Sequence, residues 1–333
     1  MINLSPLQGI KIANRGFHNY ITNRPLVVSF EVTLSCNCNC RHCDLGGIIK
    51  DEKQLRPDDY DRLTRLFNPA AVQISGGEPL LRKDIVAVAR AIKQANGLPY
   101  LILVTNGALL NESNYLELHE AGVDQFSVSL DFPDERHDEF RQRPGLYKRL
   151  ERTLPQLAKL GHRDIILNMA ITSANLKDML PLLEKSMEWD VSVSYSAYTA
   201  LRTGNRDYCV SRVEDLEVLR QSIGELLELK KRNTHIANPK NVLLNTLKFF
   251  EQGCTPNCKA GQRFLVVMPD GSFVPCSLHR EKYSTRKEMI KNFSRTNQCD
   301  GCYVAIRSYS EPSLFGQLKS MPHYAKQLVA RNM

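Results

Sequence analysis

No run of 18 or more apolar residues occurs in the chain, so no membrane span is expected. The opening residues, Met1 to Pro6, lack a charged stretch followed by an apolar one, so no secretion signal is read and a cytoplasmic location is expected. Internal repeats and low-complexity segments are absent. The apolar, aromatic and charged fractions of 42%, 8% and 24% are those of an ordinary soluble globular protein. Neither sign of charge dominates: 44 Lys and Arg against 36 Asp and Glu leave +8, and no nucleic-acid partner is expected. Basic residues thicken only at 280–295, with Arg280, Lys282, Arg286, Lys287, Lys291 and Arg295. A solvated face explains that stretch; an anionic substrate or an acidic reductant protein is the alternative.

Against these absences stands cysteine. Ten Cys without a secretion signal disfavour disulfides and point to metal binding or catalysis. Four lie together at Cys36, Cys38, Cys40 and Cys43, and five at Cys254, Cys258, Cys276, Cys299 and Cys302. Only Cys209 stands alone.

The 333 residues suffice for one large domain, or one large and one small. Residues 1–26 read as an irregular lead-in. Beyond them, strand-like runs at Val27–Leu34, Ala71–Ser75, Tyr100–Thr105, Gln125–Leu130, Asp164–Ile171 and Val191–Ala197 alternate with helical stripes. Pro57 opens the first crossover helix, with Tyr60, Leu63 and Leu66 on one face. Asp84 caps the next and Gly97 ends it. Leu146, Leu150, Leu154 and Leu157 mark another, and Leu176 to Met187 a further one. Six such alternations predict an α/β fold with a parallel sheet, a partial (β/α)6 TIM-like barrel over 27–210, whose chemistry sits at the C-terminal strand ends. A helical linker (211–253), a small Cys-rich α+β unit (254–310) and a C-terminal helix (311–333) are expected to follow.

Cys36, Cys40 and Cys43 have CxxxCxxC spacing directly after a predicted strand. Three thiolates on one tight loop can hold three irons of a cubane and leave the fourth open to a small chelate. A zinc site is the alternative, with Cys38 or His42 as fourth ligand; otherwise Cys38 reads as a non-ligating thiol. This segment resembles the radical S-adenosylmethionine (SAM) superfamily, with His42 where that family most often has an aromatic residue. The resemblance implies that Cys36, Cys40 and Cys43 hold a [4Fe–4S] cluster and that SAM is the chelate. An electron passed into SAM would then release a 5′-deoxyadenosyl radical.

Further motifs fit the resemblance. Ser75-Gly76-Gly77-Glu78-Pro79-Leu80 is similar to the family's GGE motif, which contacts the amino group of SAM; its two glycines allow close backbone approach. Thr105-Asn106-Gly107 looks like part of the SAM-side loop set. Ser127-Val-Ser129-Leu-Asp131, with Arg136 to Arg141 and Pro144-Gly145, is similar to a stretch found in relatives with C-terminal auxiliary clusters. Ser129 would then contact SAM, and Asn168 would point into the barrel toward the ribose. Asp131 either contacts SAM or caps its loop. Arg141 could pair with the SAM carboxylate, and Arg143 reads as a surface ion pair. His119 and His162 read as surface residues.

Asp270-Gly271 between apolar strands predicts a hairpin that brings Cys258 and Cys276 together, with the Cys299–Cys302 pair closing over the same site. Four thiolates would complete a second cubane, and a zinc ribbon is the alternative. The region resembles the twitch form of the SPASM auxiliary-cluster domain, with Cys258, Cys276, Cys299 and Cys302 as ligands. Cys254 is left over as a replacement ligand, a hydrogen-atom donor or a structural thiol.

The expected function is hydrogen abstraction by the deoxyadenosyl radical, with the auxiliary cluster accepting an electron or positioning the substrate. A flavodoxin or ferredoxin would supply electrons. The substrate class, small molecule or peptide, stays open. The ending Ala-Arg-Asn-Met lacks the Gly-rich terminus of the GTP-rearranging relatives, which disfavours GTP. Only 35 residues precede Cys36, which leaves no leader-binding domain and points to leader-independent peptide targets as the runner-up. Tyr195, Tyr198, Arg202 and Tyr208 are candidate pocket residues, and Cys209 is a weak candidate for a catalytic hydrogen donor. A non-catalytic zinc protein is the reading from another class.

Overall fold

A helix precedes the first strand. Ser5 opens α1 (Pro6–Ile21): its hydroxyl accepts from the Gln8 N–H, the Gln8 side chain accepts from the Ser5 N–H, and Pro6 takes the first helical position. The irregular lead-in read from the sequence is thereby corrected, and the Ser-x-x-Gln capping pattern was the signal for it. The computed structural model describes residues 5–93 and 98–310. Gly97 and the C-terminal helix expected in 311–333 lie outside the described residues.

The expected alternation follows: β1 (Val27–Thr33), α2 (Pro57–Phe67), β2 (Ala71–Gly76), α3 (Ile85–Ile92), β3 (Tyr100–Thr105), α4 (Glu112–Glu120) and β4 (Gln125–Ser129). Then come α5 (Arg136–Arg141), α6 (Leu146–Ala158), β5 (Ile165–Ile171), α7 (Met179–Glu188) and β6 (Ser192–Ala197). These six strands lie in sequential parallel order, each hydrogen-bonded to the next. Val28, Phe30, Val72, Ile74, Leu101 and Leu103 face the helices and are fully buried. Alternate residues turn to the inner face, where Val27, Ala71, Ile102, Val104, Ile166 and Ala170 are interspersed with polar Ser29, Glu31, Gln73, Ser75, Ser127, Ser129, Asn168, Ser192, Ser194 and Ser196. A period of two puts apolar packing on one face and hydrogen-bonding groups on the other.

Some helix details differ from the sequence reading. Leu66 and Met187, assigned to apolar stripes, are exposed, because the buried arcs run through Tyr60, Leu63 and Phe67 and through Met179, Leu182 and Leu183. Asp84 stands at the N-cap of α3 but makes no capping bond; its carboxylate is taken by Arg82 at 2.7 Å.

After β6 come α8 (Val213–Leu229) and α9 (Lys240–Gln252), then a hairpin of β7 (Phe264–Val267) and β8 (Phe273–Val274), and the short helices α10 (Arg286–Met289) and α11 (Ala305–Ser310). The hairpin forms at Asp270-Gly271 as expected, but it is continuous with the barrel. β7 pairs in parallel with β1, giving one eight-stranded sheet in the order β6-β5-β4-β3-β2-β1-β7-β8. Residues 235–237 cover the outer edge of β6, with Val193 N–H donating to His235 O and Ala237 N–H to Val193 O. Among the described residues no helix is long and apolar enough to cross a membrane.

α1 is held by Asn19, which is fully buried and donates from Nδ2 to Pro25 O at 2.9 Å and Asn68 O at 2.8 Å. Asn19→Ala leaves both carbonyls without this donor. It is expected to cost about 1–3 kcal/mol in urea unfolding.

Candidate active site

The first cysteine loop leaves the C-terminal end of β1. Cys36 N–H donates to Gly47 O and Cys43 N–H to Cys40 O, which close the loop on itself. Each sulfur of the CxxxCxxC set receives an N–H donor: Cys36 from Asn106 Nδ2 at 3.9 Å, Cys40 from Arg141 Nη1 at 3.7 Å, and Cys43 from Leu45 N at 3.4 Å. Cys38 is also buried and lies within hydrogen-bonding reach of both Cys36 and Cys40. Hydrogen bonding from Cys38 draws the thiols of Cys36 and Cys40 down to about 7, and its own is pushed up. Burial instead raises the Cys43 thiol. With an N–H donor on each of the three sulfurs, the set fits a [4Fe–4S] cluster. Among the described residues no three Cys, His, Asp or Glu side chains close on a point able to hold a single ion. A cubane places each cysteine on a separate iron and needs no such point.

The GGE segment grips this loop from below. Gly77 N–H donates to Thr33 O at 2.7 Å and Glu78 N–H to Ser35 O at 2.9 Å. A Cβ on Gly76 would collide with the Thr33 carbonyl, and one on Gly77 with the Ser35 carbonyl. The close approach that the glycines permit is thus to the cysteine loop's own backbone. Glu78 is completely buried and accepts from Thr105 Oγ1 at 2.7 Å, Asn106 N at 2.7 Å and Leu80 N at 3.0 Å. Burial raises its carboxyl pKa against the pull of these donors. The Glu78 side chain thus braces β2 to β3. Pro79 begins the buried turn that follows. Thr105 and Asn106 are likewise turned inward, and Asn106 Nδ2 reaches Asn37 Oδ1 at 2.6 Å.

Ser129 and Asn168 are paired across β4 and β5, half-buried on the inner face, with Ser194 beside Asn168 on β6. Of the sequence candidates for SAM contact, these two side chains stay open to a ligand. Asp131 is fully buried and accepts from Arg141 Nε at 2.7 Å and Ala170 N at 3.1 Å. Burial opposes both charges, but Arg141 holds Asp131 below the carboxylate range, and Asp131 and Cys40 keep Arg141 protonated. Arg141 thus stands behind Cys40 as a buried cation. Arg143 is no surface ion pair: its Nη1 donates to Asn37 O at 2.6 Å and steadies the loop. His42 stacks on Phe140, centroids 4.6 Å apart, and so fills the aromatic place. His119 and His162 are half-buried, with His119 Nδ1 3.0 Å from Asp164 Oδ2.

The second group converges as the spacing implied. Cys258 and Cys276 are buried together with Phe264, and Cys299 and Val27 pack on them. Cys299 lies in hydrogen-bonding reach of Cys258, which draws its thiol down to about 7. His279 N–H donates to Cys276 Sγ at 3.4 Å, His279 Nε2 is 3.3 Å from Cys299 Sγ, and Arg307 Nη1 is 3.8 Å from Cys302 Sγ. Burial raises the thiols of Cys276, to about 12, and of Cys302. Cys254 is half-buried and contributes to none of these shifts. Sequence reading missed Arg307 and His279, since neither residue type carries a spacing signal relative to the cysteines.

The loop after β6 links the two groups. Thr199 Oγ1 donates to Gly301 O at 2.9 Å, and Arg202 pairs with Asp44 at 2.7 Å. Tyr195 is not a pocket residue, because it is buried in the core with its hydroxyl on Met179 O. Tyr198 donates to Asn205 O at 2.9 Å, while Arg202, Tyr208 and Cys209 remain half-buried on the loop. The basic 280–295 stretch divides: Arg280 makes two bonds to Glu31 at 2.8 and 2.7 Å, Lys282 pairs with Asp270, and Arg286 donates to backbone carbonyls. Lys287, Lys291 and Arg295 are exposed.

Residues 30–185 match the family model "Radical SAM superfamily". Over that segment the chain is similar to the radical SAM superfamily. The AdoMet-dependent heme synthase of Methanosarcina barkeri is 33% identical over 198 residues, covering 56% of this chain and 54% of that protein. A probable GTP 3′,8-cyclase of Methanothermobacter marburgensis is 31% identical over 152 residues, 44% and 49% of the two chains. The chain thus spans about half the length of these curated relatives. Among solved structures, anSMEcpe with bound AdoMet superposes with TM-score 0.63 at 18% identity, over 92% of this chain and 99% of that one. Streptococcus suis SuiB bound to its precursor peptide SuiA gives 0.62 at 17%, over 96% and 73%. At these identities the likeness establishes the fold.

Two outcomes follow from the buried groups. Arg141→Ala leaves Asp131 buried without its guanidinium partner and is expected to lower stability by about 3–5 kcal/mol in chemical denaturation. His137 is fully buried, accepts from Asp131 N at 3.1 Å and is held by burial at about 3. Its folded value lies below the unfolded one, so its contribution is complete above about pH 6.5 and is lost as pH falls toward 3, by about 1.4 kcal/mol per unit. His137→Gln is expected to flatten the stability–pH slope between pH 6 and 4.5 by about that amount.

Proposed function

We propose that this protein reductively cleaves SAM and directs the 5′-deoxyadenosyl radical to remove a hydrogen atom from a C–H bond of its substrate. The observation that carries this reading is the N–H donor placed on each of Cys36, Cys40 and Cys43, in a loop locked by the Gly76–Glu78 segment. Cys36, Cys40 and Cys43 would hold a [4Fe–4S] cluster, which when reduced would supply the electron for SAM cleavage. The chain's own residues bind and orient. The backbone of Gly76 to Pro79 presents polar groups for the SAM amino group, with Glu78, Thr105 and Asn106 fixing its position. Ser129 and Asn168 offer hydrogen bonds to the ribose. Arg141 lends positive charge behind Cys40 and disfavours protonation of that sulfur.

Cys258, Cys276, Cys299 and Cys302 would hold a second [4Fe–4S] cluster, serving as electron acceptor or substrate anchor. Support comes from their convergence and from the donors His279 and Arg307. An acidic flavodoxin or ferredoxin would deliver electrons in a reducing cytoplasm. A second reading within the class is a peptide or protein maturase; the fold likeness to SuiB, solved with a precursor peptide, favours it. Relatives named for heme synthesis and GTP cyclisation keep small molecules in view.

The test is anaerobic reconstitution with iron and sulfide, then reduction with dithionite in the presence of SAM. Wild type should release 5′-deoxyadenosine, Cys40→Ala should release more than about 100-fold less, and Cys299→Ala should keep cleaving SAM. A fully active Cys40→Ala variant, or stoichiometric zinc in place of iron and sulfide, would overturn the reading.

A further inference from the structure

Four large apolar side chains stand exposed on α1: Leu7 at 62%, Ile10 at 56%, Phe17 at 48% and Ile21 at 59%. At 100° per residue, positions 7, 10, 14, 17 and 21 fall within an arc of about 80°, and Asn14 is its one polar member. The stripe runs about 20 Å along the helix. It is not free to fold back, because the opposite face is already used. Gly16 meets Ala70, Asn19 is bonded to Pro25 and Asn68, and Tyr20 lies under the Arg263 guanidinium at 3.3 Å.

The charge around the stripe has one sign. Residues 1–30 contain Lys11, Arg15 and Arg24 and no Asp or Glu; the first carboxylate of the chain is Glu31. Lys11 lies along one flank of the stripe and Arg24 is exposed just beyond the helix, whereas Arg15, on the same flank as Lys11, is half-buried with its guanidinium on Asn68 Oδ1. We propose that α1 is a surface anchor that lays the Leu7–Ile21 stripe into the headgroup boundary of an anionic lipid bilayer. An apolar stripe bordered by Lys and Arg on a helix of this length is the composition such anchors need.

A second copy of the chain fits less well. The exposed apolar area is on the order of 400 Å², half of the roughly 800 Å² per partner of a standard stable interface. A bilayer sets no such minimum, since side chains enter it singly. The position of α1 also defines what the anchor does. It packs at residues 25, 68, 70 and 263, against the N-terminal ends of β1, β2 and β7, whereas the cysteine loop leaves the C-terminal end of β1. Anchored in this way, the protein turns its site away from the lipid, so tethering does not require a lipid substrate. The proposal is independent of the reaction catalysed.

The experiment is anaerobic co-sedimentation of the full-length, cluster-loaded chain with vesicles of 3:1 phosphatidylcholine:phosphatidylglycerol and of phosphatidylcholine alone. Wild type is expected to pellet with the anionic vesicles, less so at high salt, and weakly with the neutral ones. Phe17→Glu/Ile21→Glu should weaken anionic-vesicle binding by about tenfold or more, with iron content and melting temperature retained because both side chains face solvent. Lys11→Glu should weaken binding to anionic vesicles only. Wild type that stays in the supernatant overturns the proposal, as does a double variant that binds as wild type does. Sedimentation velocity showing a dimer that the double variant dissociates would assign the stripe to a second copy instead.

Discussion

One buried carboxylate organises the site end of the sheet. Glu78 accepts hydrogen bonds from the β2–α3 turn and from both Thr105 and Asn106 at the end of β3. A charge removed from water is tolerable only when its oxygens are hydrogen-bonded, so the two strand ends must keep these positions. Asn106, fixed in this way, extends to Asn37 and Cys36 and carries the constraint into the cysteine loop. Gly76 and Gly77 complete the arrangement from the other side, because any side chain there would occupy the space of the Thr33 and Ser35 carbonyls. The loop that bears the sulfurs is consequently shaped less by its own residues than by β2 and β3 beneath it.

Buried cations recur behind both cysteine groups. Arg141, paired with Asp131, stands at Cys40, and the fully buried Arg307 reaches the Cys302 sulfur and the Thr255 and Pro256 carbonyls. A guanidinium in such surroundings favours the thiolate over the thiol. The second group also has a mechanical consequence. Ala305 N–H donates to Ser196 on β6, while Cys258 and Cys276 pack against Val27 of β1 and Phe264 of β7. Residues 254–310 therefore reach from one end of the curved sheet to the other across its polar inner face. Arg280 adds a third tie by entering that face to meet Glu31.

Much of this was legible in the chain. The six parallel strands followed from period-two and helical patterning, and the hairpin from Asp270-Gly271. The cysteine spacings pointed to the groups that the structure brings together. Three kinds of feature were not legible. The first helix was missed because its outward apolar residues obscure the usual polar-outside pattern, although Ser5 and Gln8 announced its start. The inward role of Glu78, Thr105 and Asn106 was missed because a motif records residue types and not the direction in which a side chain turns. Arg143, Arg307 and His279 act on loops whose proximity is set by the whole sheet.

By itself the sequence determined the six strand–helix alternations, the two cysteine groupings and the resemblance to the radical SAM superfamily, since each is carried by short-range periodicity or spacing. Tertiary structure alone decided which polar residues brace the loop and which stay open on the inner face. It also joined the C-terminal hairpin to β1 and left the α1 stripe uncovered. The physical reason is range. Periodicity acts over a few residues, whereas hydrogen bonds such as Arg280 to Glu31, 249 positions apart, form only after the sheet has closed the distance.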